Sequence, residues 1–288
     1  MRVVAVAGGT GHVGRPIVES LAQSRSFKVL VLGRKACQDT SGLPASAVYI
    51  KVDYDNVEAL SQILKHHNAH TLICTIQITD ETASSAQLTS HDRSPVAAFQ
   101  ADSIEQLRRT NLEWTRFAVG FFLDYYGLPN IKTHLPMLTF ALDIPHKKAA
   151  IPGTGDEPIL FTYTYDVTKF VAAFLDETEW EELTVCYGER TTWNSFLKIA
   201  EEVSGQPFEV TYDSVESLQR GAVSELPSHK AEFVASPFPE AIAKQLLAIL
   251  GIWAVNGQFD IQHNKSLNAK CPDIKPMAVR DALLIGME

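Results

Sequence analysis

Residues 8–14 read G-G-T-G-H-V-G and have the spacing of a loop that binds phosphate groups. They follow an apolar run that predicts a buried strand and precede a helical pattern, and this context makes a glycine motif informative. In such a loop Gly8 permits a tight turn, Gly11 lets a pyrophosphate approach the main chain, and Gly14 lets the helix pack closely. The N-terminus of the helix then binds the anion. The alternative is a glycine-rich turn without a ligand. The predicted contacts to a dinucleotide are Gly8, Thr10, Gly11, His12, Val13 and Gly14.

Two basic residues, Arg34 and Lys35, follow the second predicted strand at 28–32. They stand about 20 residues beyond the glycine loop, where enzymes that use NAD carry an acidic residue for the ribose 2′-hydroxyl. Two cations instead suit the 2′-phosphate of NADP, so the sequence favours NADP(H) as the cofactor. The alternative is a pair of solvated cations at a strand end.

Further candidate contacts lie where the next two predicted strands end. Asp53 follows the strand at 48–52 and could face the adenine edge, or it could equally cap the next helix. Thr75 and Ile76 end the following strand. Because ligands of doubly wound sheets bind at the carboxyl ends of the strands, we expect both residues to lie along the cofactor. The alternative is a strand end that contacts nothing.

The elements that must position these residues alternate between strand and helix over the first 76 residues. Such alternation predicts βαβ units and an α/β fold with a doubly wound, Rossmann-type parallel sheet. Residues 77–94 are polar and lack periodicity, so the sheet could be one strand short. We expect a dinucleotide-binding domain over residues 1–190 and a smaller, helix-rich region over 191–288, interleaved with it and covering the substrate.

Several segments resemble the NmrA-like, or isoflavone-reductase-like, branch of the atypical short-chain dehydrogenases, in particular its fungal members. The resemblance is specific at the N-terminus, looser past residue 190, and covers most of the chain. It implies an NADP-binding Rossmann domain and an NADPH-dependent reductase of a hydrophobic small molecule. The fungal members also imply a role in specialised metabolism. Other members bind the dinucleotide without turnover and act as redox sensors. The segments are the glycine loop, the strand ending in Arg34, Val52-Asp-Tyr-Asp55, Ile73-Cys-Thr-Ile76, Leu112-Glu-Trp-Thr115, Gly120-Phe-Phe-Leu-Asp124 and Thr164-Tyr-Asp-Val167.

The chain departs from this family in two places. Gln100 stands where reductases of the family carry a lysine, and glutamine can neither carry that charge nor donate a proton as lysine does. The segment between Ile76 and Pro95 is also shorter than in the family. Two alternatives to a reductase therefore stay open. One is a non-catalytic NADP-binding sensor or regulator with a protein partner, and the other is a non-redox isomerase or cyclase that keeps bound NADP.

An aromatic run follows Gly120 and has two interpretations of equal weight. It could form a substrate-pocket wall, because aromatic surfaces with a few polar groups bind small molecules well. It could equally be core packing. Tyr125 is the best remaining candidate for a proton donor, and the predicted substrate contacts are Phe122, Tyr126 and Phe121.

Two other patterns favour structural roles. Tyr165 and Lys169 have the YxxxK spacing of classical short-chain dehydrogenases, but they stand at the start of a late helix, away from the expected nicotinamide position. His66, His67 and His70 cluster at a helix end without a carboxylate or cysteine nearby, so we predict a solvated helix end and no metal site.

Composition limits the remaining function classes. The net charge of −9 argues against nonspecific binding to nucleic acid or to an anionic membrane. No apolar run approaches the roughly 20 residues that span a bilayer. The four cysteines are scattered, which is typical of free thiols in a reducing compartment. We expect a cytoplasmic protein whose main partner is a small molecule.

Overall fold

The computed structural model of the chain describes residues 1–35, 42–76, 104–261 and 265–288. The chain divides into two compact units, the first formed by Met1–Arg116 with Leu175–Glu182 and the second by Phe117–Phe174 with Leu183–Glu288. This division differs from the boundary that we expected at residue 190. The chain leaves the first unit well before that point and returns to it once.

The first unit contains a parallel sheet with helices between its strands. Its elements are β1 (Arg2–Ala7), α1 (Gly14–Gln23), β2 (Phe27–Gly33), β3 (Val48–Lys51), α2 (Val57–His66) and β4 (Thr71–Cys74). The strand order is β3-β2-β1-β4, and all three pairings are parallel. This arrangement confirms the predicted α/β fold with a Rossmann-type sheet. The carboxyl ends of all four strands meet at one edge, which is where such sheets bind ligands.

Burial explains why β1 and β2 are the central strands. Val4, Ala5 and Val6 are almost completely buried, as are Leu30 and Leu32 of β2. Strands that are covered on both faces need continuous apolar runs rather than alternation. The outer strand β4 shows the contrast, because Leu72 is 47% exposed.

The first unit also includes residues 104–108, which are helical, and the returning segment 175–182. Arg108 joins these two pieces through two hydrogen bonds to the Glu182 carboxylate, of 2.9 Å from Nε and 2.5 Å from Nη2. Residues 95–103 and the predicted irregular segment 77–94 lie outside the described residues.

The second unit is built from short strands and helices. Its elements are β5 (Arg116–Ala118, which begins at the unit boundary), β6 (Phe121–Phe122), a 3-10 turn (Leu123–Tyr126), β7 (Leu142–Asp143), β8 (Lys148–Pro152), β9 (Pro158–Thr162), α3 (Thr164–Phe174), β10 (Leu183–Val185), β11 (Glu189–Thr192), α4 (Trp193–Ser204), β12 (Glu209–Asp213), α5 (Val215–Gln219), α6 (His229–Ala235), α7 (Glu240–Val255), α8 (Leu267–Lys270) and α9 (Val279–Gly286). The strands form the sheets β10-β5, β11-β9-β6 and β12-β8-β7.

An aromatic core holds the second unit together. Trp193, Phe161 and Phe196 are fully buried and pack edge-on or tilted, with ring centroids 5.0 to 5.8 Å apart. Such geometries add to the free energy of burial because the positive ring edge meets the negative face. Among the described helices, none is long and apolar enough to cross a membrane.

Candidate functional site

The glycine loop turns directly off the buried end of β1. Gly8 has a φ of +76°, in the left-handed region that glycine adopts without strain. Its carbonyl accepts a hydrogen bond from Gly11 N–H at 2.8 Å, which closes the turn. A Cβ at Gly8 would lie 2.9 Å from the carbonyl carbon and oxygen of Thr75. Both the dihedral and the space therefore require glycine at the first position.

Gly14 brings the start of α1 against the same loop. A Cβ at this position would lie 2.3 Å from the Gly8 carbonyl oxygen and 2.4 Å from Thr75 Oγ1. Gly11 is less constrained, since a Cβ there would meet only the Gly8 oxygen, at 3.1 Å. The close packing of the loop thus accounts for Gly14, whereas Gly11 keeps one side of the loop free of side chain.

The N-terminus of α1 has the properties of an anion site. The N-cap residue Val13 makes no side-chain hydrogen bond to the helix, and the first turn contains no acidic residue. The first N–H groups of a helix carry a partial positive charge and need external acceptors. Thr10 and His12 are exposed in the loop before this helix. A pyrophosphate fits this cradle of main chain.

The end of β2 places two cations at the same edge of the sheet. Arg34 and Lys35 directly follow Gly33, and both are exposed. In the parallel pairing Gly33 lies opposite Lys51 of β3, and Leu32 lies opposite Ala7 of β1. Arg34 is therefore one strand away from the glycine loop, which suits a group attached to the adenosine ribose of a bound dinucleotide.

Two tyrosines at this edge were not predicted from the sequence. The Tyr49 hydroxyl donates a hydrogen bond to the Lys35 carbonyl at 2.8 Å, and the Tyr54 hydroxyl donates one to the Leu32 carbonyl at 2.9 Å. Burial raises the pKa of Tyr54, and a hydrogen bond with the Gly8 main chain partly opposes the rise. The signal that could have revealed Tyr54 is its place directly after the third strand, at the ligand-binding edge.

Asp53 does not cap helix α2. The N-cap is Asn56, whose side-chain oxygen accepts a hydrogen bond from Ala59 N–H at 2.9 Å. Asp53 instead accepts a hydrogen bond from Asp55 N–H at 3.1 Å, which forms an Asx turn after β3. The helix-cap alternative is therefore wrong, because the helix begins three residues later than that alternative requires. Asp53 is exposed, and its contact with adenine stays a prediction.

Thr75 and Ile76 follow β4 beside the glycine loop. The Thr75 hydroxyl donates a hydrogen bond to the Ala7 carbonyl at 3.0 Å, and its N–H donates to the same oxygen at 2.9 Å. Thr75 thus fixes the position of β4 against the end of β1, and Ile76 is 39% exposed. Their contact with a cofactor stays a prediction.

The aromatic run of the second unit is split between core and partly exposed positions. Phe121 and Tyr126 are 5% and 3% exposed, and the Tyr126 hydroxyl donates to the Phe140 carbonyl at 2.8 Å. These contacts favour core packing for both residues over a pocket wall. Phe122 and Tyr125 are only partly buried. Burial raises the pKa of Tyr125, and the neighbouring Asp124 raises it further, so the phenol is protonated at neutral pH.

The YxxxK spacing does not produce a tyrosine–lysine pair of the classical kind. Lys169 Nζ lies 2.7 Å from Asp166 Oδ1, and Asp166 also accepts a hydrogen bond from Met277 N–H at 2.6 Å. The Tyr165 hydroxyl lies 3.3 Å from His134 Nε2. Lys169 therefore forms an ion pair with Asp166, a buried carboxylate in the first turn of α3.

The remaining candidate residues concern catalysis, metal binding and the cysteines. Gln100 lies outside the described residues, as does most of the shortened segment before it. Among the residues that the structure describes, no group of three His, Cys, Asp or Glu side chains could hold a metal ion. Among the described residues, Cys74, Cys186 and Cys271 form no disulfide bond.

Comparison with known proteins shows what the chain is similar to. Residues 4–94 match the NAD dependent epimerase/dehydratase family. Oxidoreductase BOA1 of Botryotinia fuckeliana is 28% identical over 95% of both chains. A solved isoflavone reductase has a TM-score of 0.65 at 17% identity and covers 98% of each chain. The structure of AtPrR2 with NADP+ and (+)pinoresinol has a TM-score of 0.71 at 17% identity and covers 99% of this chain and 98% of that chain.

The chain is similar to a named oxidoreductase over nearly its whole length, and its fold is that of solved isoflavone-reductase-like proteins. The resemblance inferred from the glycine loop and the later strand motifs is thereby confirmed. The solved structures share the fold over nearly the whole length of this chain, although few residues are identical. The fold is therefore shared with these reductases.

Proposed function

We propose that this NAD(P)-dependent oxidoreductase is an NADPH-dependent reductase of a hydrophobic small molecule. The observation that carries the proposal is the passage from β1 through the glycine loop to α1. Its first glycine has a φ of +76°, and the helix that follows has no side-chain cap. A dinucleotide fits this cradle, and NADPH supplies a hydride when bound.

The residues of the first unit would bind and orient this cofactor. The N–H groups at the start of α1 would bind the pyrophosphate, with Gly11 leaving space for it. Arg34 would pair with the 2′-phosphate, since guanidinium groups match phosphate oxygens in geometry and charge. Lys35 would add a second positive charge at this edge. NADP(H) is therefore the proposed cofactor.

The proposed substrate is a small aromatic or polycyclic metabolite. This proposal is supported by the similar structures, one named an isoflavone reductase and another containing (+)pinoresinol. A place in specialised metabolism is proposed from the family resemblance of the sequence. The partly buried Phe122 and Tyr125 are the proposed substrate contacts. Tyr125 is the proposed proton donor, because its phenol carries a proton at neutral pH, although its raised pKa makes it a weaker acid than an ordinary tyrosine.

A second candidate function is a nicotinamide sensor without turnover. The observation that favours it is Gln100, which stands in place of the lysine of family reductases. Glutamine cannot act as a general acid. In that case the same cradle would bind NADP(H), and a protein partner would recognise the chain with its bound cofactor. Direct binding of nucleic acid is not part of either proposal, and a cytoplasmic location stays a prediction.

Binding and turnover measured together separate these functions. We expect purified protein to bind NADPH more tightly than NADH in calorimetry, and to oxidise NADPH when a cyclic enone or aryl ketone is added. Tight binding of NADPH with no oxidation across a panel of enones, ketones and benzylic ethers would favour the sensor. Formation of product with NADP⁺ and no redox change would indicate an isomerase or cyclase. Failure to bind any of the four nicotinamide dinucleotides would contradict all three.

A further inference from the structure

We propose that Tyr49 and Tyr54 are positioning residues that hold the main chain around Arg34 in the shape that receives a 2′-phosphate. In this arrangement Tyr49 sets the preference for NADPH over NADH, whereas Tyr54 supports binding of both. The inference rests on the proposed function, because it concerns the same cofactor edge. It adds two residues whose side chains need not touch the cofactor.

Tyr49 reaches past the end of β2 because Gly33 has no side chain. A Cβ at Gly33 would lie 2.4 Å from the Tyr49 hydroxyl oxygen and 2.9 Å from two ring carbons. The ring therefore crosses directly over the bare α-carbon of Gly33. Its hydroxyl then donates a hydrogen bond to the Lys35 carbonyl at 2.8 Å. Gly33 and Tyr49 thus form a matched pair that fixes the chain beyond Arg34.

Tyr54 fixes the chain before Arg34. Its hydroxyl donates to the Leu32 carbonyl at 2.9 Å, and Leu32 pairs with Ala7, the residue directly before the glycine loop. Burial raises the pKa of this phenol, so the hydroxyl keeps its proton and remains a donor at neutral pH. Tyr54 consequently links the end of β2 with the glycine loop.

A third hydrogen bond lies between these two. The Val52 N–H donates to the Gly33 carbonyl at 2.9 Å, continuing the parallel pairing of β2 with β3. The carbonyls of Leu32, Gly33 and Lys35 are therefore all held, and they bracket Arg34 on both sides. Main chain that is ordered before binding does not lose its conformational entropy when the ligand arrives. The geometry thus prepares Arg34 for a phosphate.

The two tyrosines differ in which part of the cofactor they affect. The Tyr49 ring and hydroxyl lie against Gly33 and Lys35, on the side of the edge where the 2′-phosphate would lie. Tyr54 holds Leu32, which pairs with Ala7 directly before the glycine loop, where the pyrophosphate common to both cofactors would lie. Removing each hydroxyl should therefore change the two affinities in different ways.

The test is calorimetric titration of the full chain and its Tyr49→Phe and Tyr54→Phe variants with NADPH and with NADH. For Tyr49→Phe we expect NADPH binding to weaken ~3- to 10-fold, the range for loss of one neutral hydrogen bond, with NADH binding changed less than ~2-fold. For Tyr54→Phe we expect both affinities to fall by a similar factor. Tyr212→Phe is the matched control, because its hydroxyl bonds Asn194 in the second unit, and it should change neither.

A wild-type measurement makes the test independent of how the variants fold. Hydrogen exchange of the Val52 amide should be slow before any nucleotide is added, because the frame exists without the ligand. Rapid exchange that becomes slow only with NADPH would overturn the inference. Equal loss of NADPH and NADH in Tyr49→Phe, or no loss at all, would also overturn it. If the wild-type chain binds neither nucleotide, the proposed function itself fails, which is a separate result.

Discussion

At the scale of single residues, Arg34 separates the two cofactors most directly. Its guanidinium is exposed at the end of β2, and the main chain on both sides of it is held by hydrogen bonds. An exposed cation attracts any anion weakly, because water screens it. A cation on ordered main chain can bind one phosphate bidentately. The contribution of Arg34 should therefore depend on the 2′-phosphate.

Replacing Arg34 tests this dependence. Arg34→Ala should weaken NADPH binding by ~1–3 kcal/mol, the loss expected for a charge-assisted contact, and should leave NADH binding nearly unchanged. Lys28→Ala is the control, because Lys28 is an exposed cation at the opposite end of the same strand. Calorimetry with both cofactors measures the difference. An equal loss for NADH would show that Arg34 does not read the 2′-phosphate.

Asp124 gives a second prediction at this scale, on stability and pH. Its side chain is fully buried, and burial raises its pKa above the ordinary value of 3.8, although hydrogen bonds from Thr133 and Thr164 oppose the rise. The folded protein therefore holds this proton more tightly than the unfolded chain does. The stabilising contribution of the carboxyl is complete below its unfolded pKa and is lost as the pH rises through the raised, folded pKa.

The variant Asp124→Asn should remove this pH dependence. We expect the free energy of unfolding of the wild type, relative to the variant, to fall as the pH is raised from about 4 to 7. Denaturant unfolding at several pH values measures it. A difference that grows with pH instead would mean that the threonine hydrogen bonds outweigh the cost of burial.

At the scale of elements, Gly14 and Gly11 of the glycine loop have different roles. A methyl group at Gly14 would collide with the Gly8 carbonyl at 2.3 Å, whereas one at Gly11 would meet the same oxygen at a tolerable 3.1 Å. The fold itself therefore needs Gly14. The ligand would need Gly11, because a methyl group there would occupy the pyrophosphate position.

The two alanine variants should therefore separate folding from binding. Gly14→Ala should lower the free energy of unfolding by ~1–3 kcal/mol, as overpacking does. Gly11→Ala should stay within about 1 kcal/mol of the wild type in stability, yet lose at least ~10-fold in affinity for NADPH and NADH alike. Thermal unfolding without nucleotide measures the stability of each variant, and calorimetry with nucleotide measures its affinity. Unchanged affinity of the Gly11→Ala variant for both nucleotides would show that the pyrophosphate does not bind at this loop.

Element boundaries show where sequence patterns were sufficient and where they were not. The apolar run of β1 and the glycines that follow it correctly predicted a strand, a turn and a helix. Each of these elements depends on residues that are neighbours in the sequence. The cap of α2 was harder to predict. Asp53 and Asn56 are both good capping residues, and only the position of the first helical turn selects Asn56.

At the scale of the whole molecule, folding and cofactor binding should be coupled. A ligand that binds only the folded chain stabilises it by about 2.7 kcal/mol at a 100-fold excess over its dissociation constant. NADPH should therefore raise the midpoint of thermal unfolding by roughly 5 °C for a chain of this size. NADH at the same concentration should raise it less. Equal shifts with both cofactors would contradict the preference for NADP(H).

The sequence by itself determined the class of fold and the dinucleotide loop, because strand periodicity, glycine spacing and a helix start are all local properties. Tertiary structure decided the rest. Tyr49 reaches Lys35, 14 residues away, only because parallel pairing sets β3 beside β2 and Gly33 leaves room. Phe121 and Tyr126 are buried because distant aromatic residues, among them Trp193, surround them. Side-chain type alone does not specify which neighbours the fold brings near, and those neighbours decide whether a residue packs, positions or binds.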